Sequence, residues 1–322
     1  MTAKDNTGTK RPLIILTGPT AVGKTALSIG LAKAIQGEII SADSMQVYRG
    51  MDIGTAKITK EQMDGVPHHL IDIMDPSDSF HVMAFQQKCK EAMEDIYARH
   101  KIPILVGGTG FYIQSVLYDI SFTETDTDIE YRQKLQKIAE EQGGYVLHAR
   151  LAKIDPEAAD EIHPNNVKRV IRALEFNHQT GEKISIHNEQ ERQKKSPYQF
   201  RYYVLSLPRE ILYDRINRRV DVMRRDGLVD EVKGLLQQGI TPNMVSMQGL
   251  GYKEIIDALQ GSCSFEEAFE RIKRETRHFA KRQFTWFRRE RDVTWIDKET
   301  YENEDAILRY MSVLQILYHI SQ

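Results

Sequence analysis

Between residues 18 and 25 the chain reads Gly18, Pro19, Thr20, Ala21, Val22, Gly23, Lys24, Thr25, the G-x-x-x-x-G-K-[ST] spacing of a loop that cradles phosphates. Its glycines let the backbone curl so that successive N–H groups converge. Lys24 can reach terminal phosphates, and the Thr25 hydroxyl suits a magnesium ion (Mg2+) bridging two phosphate oxygens. An anionic di- or triphosphate is expected there, and the loop does not say which. Asp43 closes the run Glu38-Ile39-Ile40-Ser41-Ala42-Asp43. It has three readings: a magnesium-holding carboxylate, a general base, or a helix cap. A second bare edge, Gly107-Gly108-Thr109-Gly110, would let a ligand lie against the backbone with the Thr109 hydroxyl beside it, although a tight strand-to-helix turn accounts for it equally. Arg215, Arg218, Arg219, Arg224 and Arg225 crowd one segment, and one of them is expected to reach back to a phosphate.

Residues 271–291 carry nine Lys or Arg against two Glu, interleaved with Phe279, Phe284, Trp286 and Phe287. RNA binding uses this pattern, and a solvated amphipathic helix is the alternative. Ile272, Phe279 and Trp286 lie seven apart and are expected to form its apolar stripe. In the segment Pro67-His68-His69-Leu70-Ile71-Asp72, adjacent histidines face opposite ways in an extended chain, so structural or substrate-contact roles come before a metal.

These groups need elements to hold them. Leu13 to Leu16 reads as a buried strand leading into the phosphate loop, with a helix from Ala26 to Ile35 behind it. Further strands are expected at 38–42, 102–106, 202–207 and 293–297, each followed by a helical or loop segment. The expected fold is α/β, a P-loop NTPase-like parallel sheet flanked by helices. Tyr48 to Lys57 reads as a loop over the site. From about Thr127 to Pro197 strands disappear. Asp155-Pro156 marks a helix start, and Asn166 to His178 has helical spacing with Lys168, Arg169 and Arg172 on its polar face, either solvated or touching phosphates. The polar run 185–197 reads as a return linker. The expected domains are therefore 1–126 with 198–322 as catalytic core, and 127–197 as a helical insertion.

Composition is that of a globular protein: 322 residues, 41% hydrophobic and 28% charged. The first ten residues are polar and expected to fray. Leu13 to Leu16, the longest early apolar run, is too short for a signal-peptide core or a membrane span, so a cytoplasmic protein with no membrane partner is expected. Two cysteines, Cys89 and Cys263, provide neither a disulfide framework nor a zinc site. A net charge of −2 leaves the question of nucleic acid to charge distribution.

Taken in order, 18–25, Asp43-Ser44-Met45-Gln46, 51–57, 67–72, 107–110 and Lys281-Arg282-Gln283-Phe284-Thr285-Trp286-Phe287-Arg288 resemble the tRNA dimethylallyltransferases, or tRNA isopentenyltransferases. The resemblance spans nearly the whole chain and is closer to the bacterial type, since two cysteines cannot build the C-terminal zinc finger common in eukaryotic relatives. It implies transfer of a dimethylallyl group from dimethylallyl diphosphate to N6 of the adenosine 3′-adjacent to the tRNA anticodon. By motif match Asp43 resembles the base, Thr109 a contact to the extruded adenosine, and Arg219 a diphosphate contact beside Lys24 and Thr25. Asp43 to Gln46, Thr109, Arg132, Lys168-Arg169-Val170-Ile171-Arg172 and Lys281 to Arg288 resemble contacts to the anticodon stem-loop. The insertion becomes an RNA-gripping lobe, and a monomer is expected. The alternatives are a P-loop nucleotide or small-molecule kinase, and a non-catalytic RNA-binding module that uses a nucleotide as a switch.

Overall fold

The computed structural model describes residues 10–122 and 128–320. The expected fraying of the N-terminus and the expected 126/127 boundary lie outside the described residues. The chain divides into two compact units, one running to Leu117 and resuming at Pro197, the other Tyr118–Ser196.

In the first unit six strands form one sheet: β1 Pro12–Thr17, β2 Gly37–Ala42, β3 His68–His69, β4 Ile102–Gly107, β5 Gln199–Ser206 and β6 Val293–Asp297. Their order is β3-β2-β4-β1-β5-β6, and every pairing is parallel. Parallel strands need helical crossovers, which the first unit supplies as α1 Lys24–Ile35, α2 Lys60–Met63, α3 Val82–Ala98 and α4 Gly110–Leu117 before the second unit intervenes. Leu13 to Leu16 and Ile39 to Ala42 are buried without alternation, as strands covered on both faces must be. Apolar side chains of the sheet, including Ile14, Leu16, Ile104 and Leu205, pack with Leu27 and Leu31 of α1.

The second unit is all helix: α5 Ile129–Gln142, α6 Gly144–Ile154, α7 Pro156–Glu161, α8 Val167–Thr180 and α9 Ile184–Gln193. It closes on its own core, with Leu135, Leu147, Leu151, Val170, Ile171 and Leu174 at its centre. Asp155 caps α7 through Ala158 N–H, ahead of Pro156 at the first helical position. The same carboxylate takes the backbone N–H of Ser185 at 2.9 Å and its hydroxyl at 2.6 Å. That anchor, with Ile184 against the core, starts α9 where the polar sequence reads as a linker. The first unit then adds α10 Arg209–Arg225, α11 Leu228–Gln237, α12 Tyr252–Leu259, α13 Phe265–Phe287 and α14 Glu304–Ile320. Among the described residues no helix is long and apolar enough to cross a membrane.

One buried carboxylate ties the sheet's far side together. Glu38 on β2 accepts from Arg99 at 2.6 Å, His69 at 2.8 Å and Lys101 at 2.9 Å. Burial alone would raise its pKa, but these bonds win and hold it at about 2. Its stabilisation is therefore complete above the ordinary carboxylate value of about 4.3 and is lost as pH falls from there toward about 2. Glu38→Gln is expected to cost about 1–3 kcal/mol at neutral pH, the low end because Arg99 and Lys101 reach solvent, and the deficit should shrink toward pH 2 in thermal melts.

Candidate active site

Register brings the chemistry to one edge. Gly107 pairs with Thr17 on one side and with Ala42 on the other. The residues that follow, Gly18, Asp43 and Gly108, therefore leave three neighbouring strands at the same level. With strands about 4.8 Å apart, Asp43 stands roughly 10 Å from the start of the phosphate loop. Open α/β sheets hold their ligands at this carboxyl edge.

Gly23 adopts φ 97°, a conformation open to glycine, and α1 starts directly after it with no side-chain cap. The first N–H groups of a 12-residue helix thus face the loop without a resident acceptor. Lys24 curls under the loop, its ammonium donating at 2.9 Å to the carbonyls of Gly18 and Pro19. Burial, then the charge of Arg219, pushes its pKa down to about 8 against the opposing pull of Asp43. Of the five crowded arginines, Arg219 is half-buried against the loop, and the exposed Arg215 also brings its Nη1 within 3.8 Å of where a Cβ on Gly23 would stand. The Arg219 guanidinium lies 3.5 Å from both Thr20 Oγ1 and the Ala56 carbonyl. Desolvation lowers its pKa, again opposed by Asp43. Arg218 pairs instead with Asp214, and Arg224 with Glu266.

Asp43 Oδ1 accepts from the backbone of Met45 at 2.8 Å and of Gln46 at 3.3 Å. The capping reading is thus real, but it uses one oxygen. Oδ2 accepts no hydrogen bond among the described residues. Thr109 N donates to Ala42 O at 3.3 Å, which ties Thr109 to the residue just before Asp43, while its own hydroxyl has no partner among the described residues. A carboxylate and a hydroxyl therefore sit together at the ends of neighbouring strands.

Helix α13 holds the two glycine-rich loops together. The buried Gln283 accepts from Thr20 N–H at 2.8 Å and donates to Gly108 O at 3.0 Å. Trp286 lies so close to Gly110 that a Cβ there would come within 2.2 Å of the indole nitrogen. Glu290, just past the helix end, accepts from Gln114 at 2.8 Å. Burial pushes its carboxyl up to about 7, against the pull of Trp286 and Gln114. Gln114 exerts its pull through that hydrogen bond, while Trp286 Nε1 and Glu290 Oε2 are both buried without a hydrogen bond among the described residues.

Several residues expected to touch RNA face inward. Phe287 and Val170 are wholly buried and Ile171 is 5% exposed, so these three are core residues. Gln283 is the loop bridge just described, and Phe284 packs against the sheet core. A helix distributes consecutive residues around its whole circumference, so an eight-residue motif cannot present every member to one partner. Lys281, Arg282, Thr285 and Arg288 are exposed on α13, as are Lys168, Arg169 and Arg172 on α8. Arg132 is committed to both oxygens of the buried Glu175, at 2.6 and 2.8 Å. The apolar stripe of α13 runs through Phe269, Ile272, Ala280 and Phe287 rather than Phe279 and Trp286. The 3.6-residue turn drifts away from a strict seven-residue repeat, and Arg282 covers the Phe279 ring instead, 5.8 Å from its centroid. His68 and His69 serve the backbone and Glu38.

Gln283→Ala removes both bonds between the loops and strands the Thr20 amide. It is expected to lower stability by about 1–3 kcal/mol in calorimetric unfolding, whereas Lys281→Ala, two residues away and exposed, should stay within about 0.5 kcal/mol.

The model of the IPP transferase family matches residues 46–290. The tRNA dimethylallyltransferase of Lachnoclostridium phytofermentans is 58% identical over 301 residues, 94% of this chain and 96% of that protein. That of Bacillus pumilus is 53% identical over 90% of each. Among solved structures, the full-length tRNA isopentenylpyrophosphate transferase of Bacillus halodurans superposes with a TM-score of 0.72 at 48% identity, covering 95% of this chain and 96% of that one. A eukaryotic dimethylallyltransferase solved acting on tRNA gives a TM-score of 0.74 at 33% identity, covering 89% and 74%. With its P-loop NTPase-like parallel sheet and this match over three-quarters of its length and more, the chain belongs to the IPP transferase family.

Proposed function

We propose that this chain transfers a dimethylallyl group from dimethylallyl diphosphate to N6 of the adenosine 3′-adjacent to the tRNA anticodon, releasing diphosphate. The observation that carries the reading is the pairing of two enclosed cations, Lys24 and Arg219, with the carboxylate of Asp43 at one sheet edge. The relatives' names support its coarser part, a dimethylallyl group and a tRNA acceptor.

The chemistry needs both ends. The N6 lone pair is delocalised into the purine, so N6 attacks well only as its proton leaves, and Asp43 Oδ2 is free to take it. As the N6–C1 bond forms, the allylic C1–O bond breaks and its electron pair departs with the diphosphate. Lys24, Arg219 and the loop N–H groups receive that charge. The Thr25 hydroxyl, exposed and unbonded among the described residues, would help to hold a magnesium ion, which when bound would neutralise further charge on the leaving group. Thr109 offers its hydroxyl to the base beside Asp43. The adenosine must leave its stack, at a cost of a few kcal/mol. The exposed rows Lys281, Arg282, Arg288 and Lys168, Arg169, Arg172 are suited to supply that energy through phosphate contacts. The enzyme acts in the cytoplasm as a single chain. A P-loop kinase has no use for these two basic rows.

Incubation with tRNA and either dimethylallyl diphosphate or ATP, followed by digestion and nucleoside mass spectrometry, is expected to show isoprenoid mass on adenosine with the former alone. RNA that gains no such mass would sink the proposal. Asp43→Asn should slow single-turnover transfer by about 10²- to 10⁴-fold with tRNA affinity nearly unchanged. Lys281→Ala should weaken tRNA binding and flatten its log-log salt dependence by about one unit or less. An unaltered slope would remove Lys281 from the RNA contacts.

A further inference from the structure

Away from the phosphate edge, four hydrogen bonds converge on one carboxylate. Glu231, in the first turn of α11, accepts from the backbone N–H groups of Asp52 at 2.8 Å, Ile53 at 2.7 Å and Gly54 at 3.1 Å. The hydroxyl of Tyr252 supplies the fourth, at 2.7 Å. Tyr252 is wholly buried, and burial first, then the charge of Glu231, raises its pKa, so it remains a donor. Three consecutive amides around an anion form a nest, filled here by a side chain 177 or more residues away. Such charge-assisted bonds are roughly twice as strong as neutral ones.

The clamped segment leads directly to the site. Thr55 Oγ1 donates to Met51 O at 2.6 Å and Lys57 N to Asp52 O at 2.9 Å, so residues 51–57 form one closed loop. At its far limb Ala56 sits at φ 47°, a left-handed conformation that a residue with a Cβ holds only when its surroundings impose it. The Ala56 carbonyl that this conformation presents lies 3.5 Å from Arg219 Nη2 and 3.5 Å from Gln46 Nε2. Gln46 also donates to Thr55 O at 3.3 Å, and its own backbone bonds Asp43.

We propose that Glu231 is a positioning residue for the leaving group. By gripping the amides of residues 52–54 it holds the Ala56 carbonyl against Arg219 and so aims that guanidinium at the phosphate loop. Glu231 touches no substrate, and no proton or bond moves at it. The inference rests on the proposed function only in taking Arg219 as a diphosphate contact.

The test uses calorimetric binding of inorganic diphosphate with magnesium, and single-turnover transfer to tRNA, on the full chain. Glu231→Gln puts an NH2 group against backbone N–H groups. It is expected to weaken diphosphate binding roughly 2- to 30-fold and to lower kcat/KM for dimethylallyl diphosphate by a similar factor, with KM for tRNA unchanged. In an Arg219→Ala background the same substitution should add little, because both changes act through one guanidinium. Tyr252→Phe, which removes one donor and leaves the carboxylate in place, should shift the same parameter less. A purely structural Glu231 would lower the melting temperature, by as much in the Arg219→Ala background as alone, and leave diphosphate affinity at the wild-type value. That result overturns the proposal. Should Glu231→Gln fail to fold, wild-type diphosphate affinity in Tyr252→Phe overturns it equally. Diphosphate binding needs no tRNA, so a wild-type protein that binds diphosphate without prenylating tRNA defeats the proposed function and leaves this inference standing.

Discussion

Two positive charges, Lys24 and Arg219, are half-buried together at the phosphate loop, and the rest of the site is arranged around them. Desolvation lowers the proton affinity of both, and the charge of Arg219 lowers that of Lys24 further. Asp43 offsets the strain in part from two strands away. The fold holds these cations where an anion would relieve them, so the donors need little reorganisation when charge develops on a leaving group. A site built this way is stabilised by its ligand more than by its own contacts.

What keeps the cations in place comes partly from the loop that bears the motif and partly from outside it. Lys24 is restrained by the carbonyls of its own loop. Arg219 depends on Thr20 and on the Ala56 carbonyl, and the loop bearing Ala56 is held by Glu231, Tyr252 and Gln46. Gln283 then links Thr20 to the second glycine-rich edge. Of these supports Glu231, Tyr252 and Gln283 lie far away in sequence, on helices α11 to α13, while Gln46 and Thr20 are local to the first part of the chain. Preorganisation is therefore in part a property of the later half of the chain applied to residues of the first.

Helix α13 carries both kinds of work on opposite faces. Gln283 and Phe287 point inward to the loops and the core, while Lys281, Arg282, Thr285 and Arg288 point to solvent. A single rigid helix thus relates a basic surface to the two loops of the site. The helical unit of residues 118–196 solves its own problem separately, with an apolar core of its own and Asp155 joining the starts of α7 and α9.

The phosphate loop, the strands that end at Asp43 and Gly107, and the helical character of the insertion were legible in the residues alone. Each rests on local physics: glycine spacing, apolar runs, and a capping acid before a proline act over a few residues. Helix α9 was not legible, because its polar surface lacks periodicity and its start depends on Asp155, 30 residues earlier. Nor could a contiguous motif tell Phe287 and Val170 from their exposed neighbours, since helical phase is set by what the helix packs against. Sequence determined which chemical groups the chain owns and the strand ends that deliver them. Tertiary structure alone decided that Arg219 meets Thr20 and the Ala56 carbonyl and that Glu231 grips the 51–57 loop, because those choices depend on contacts between residues 163 to 199 positions apart, where spacing carries no information.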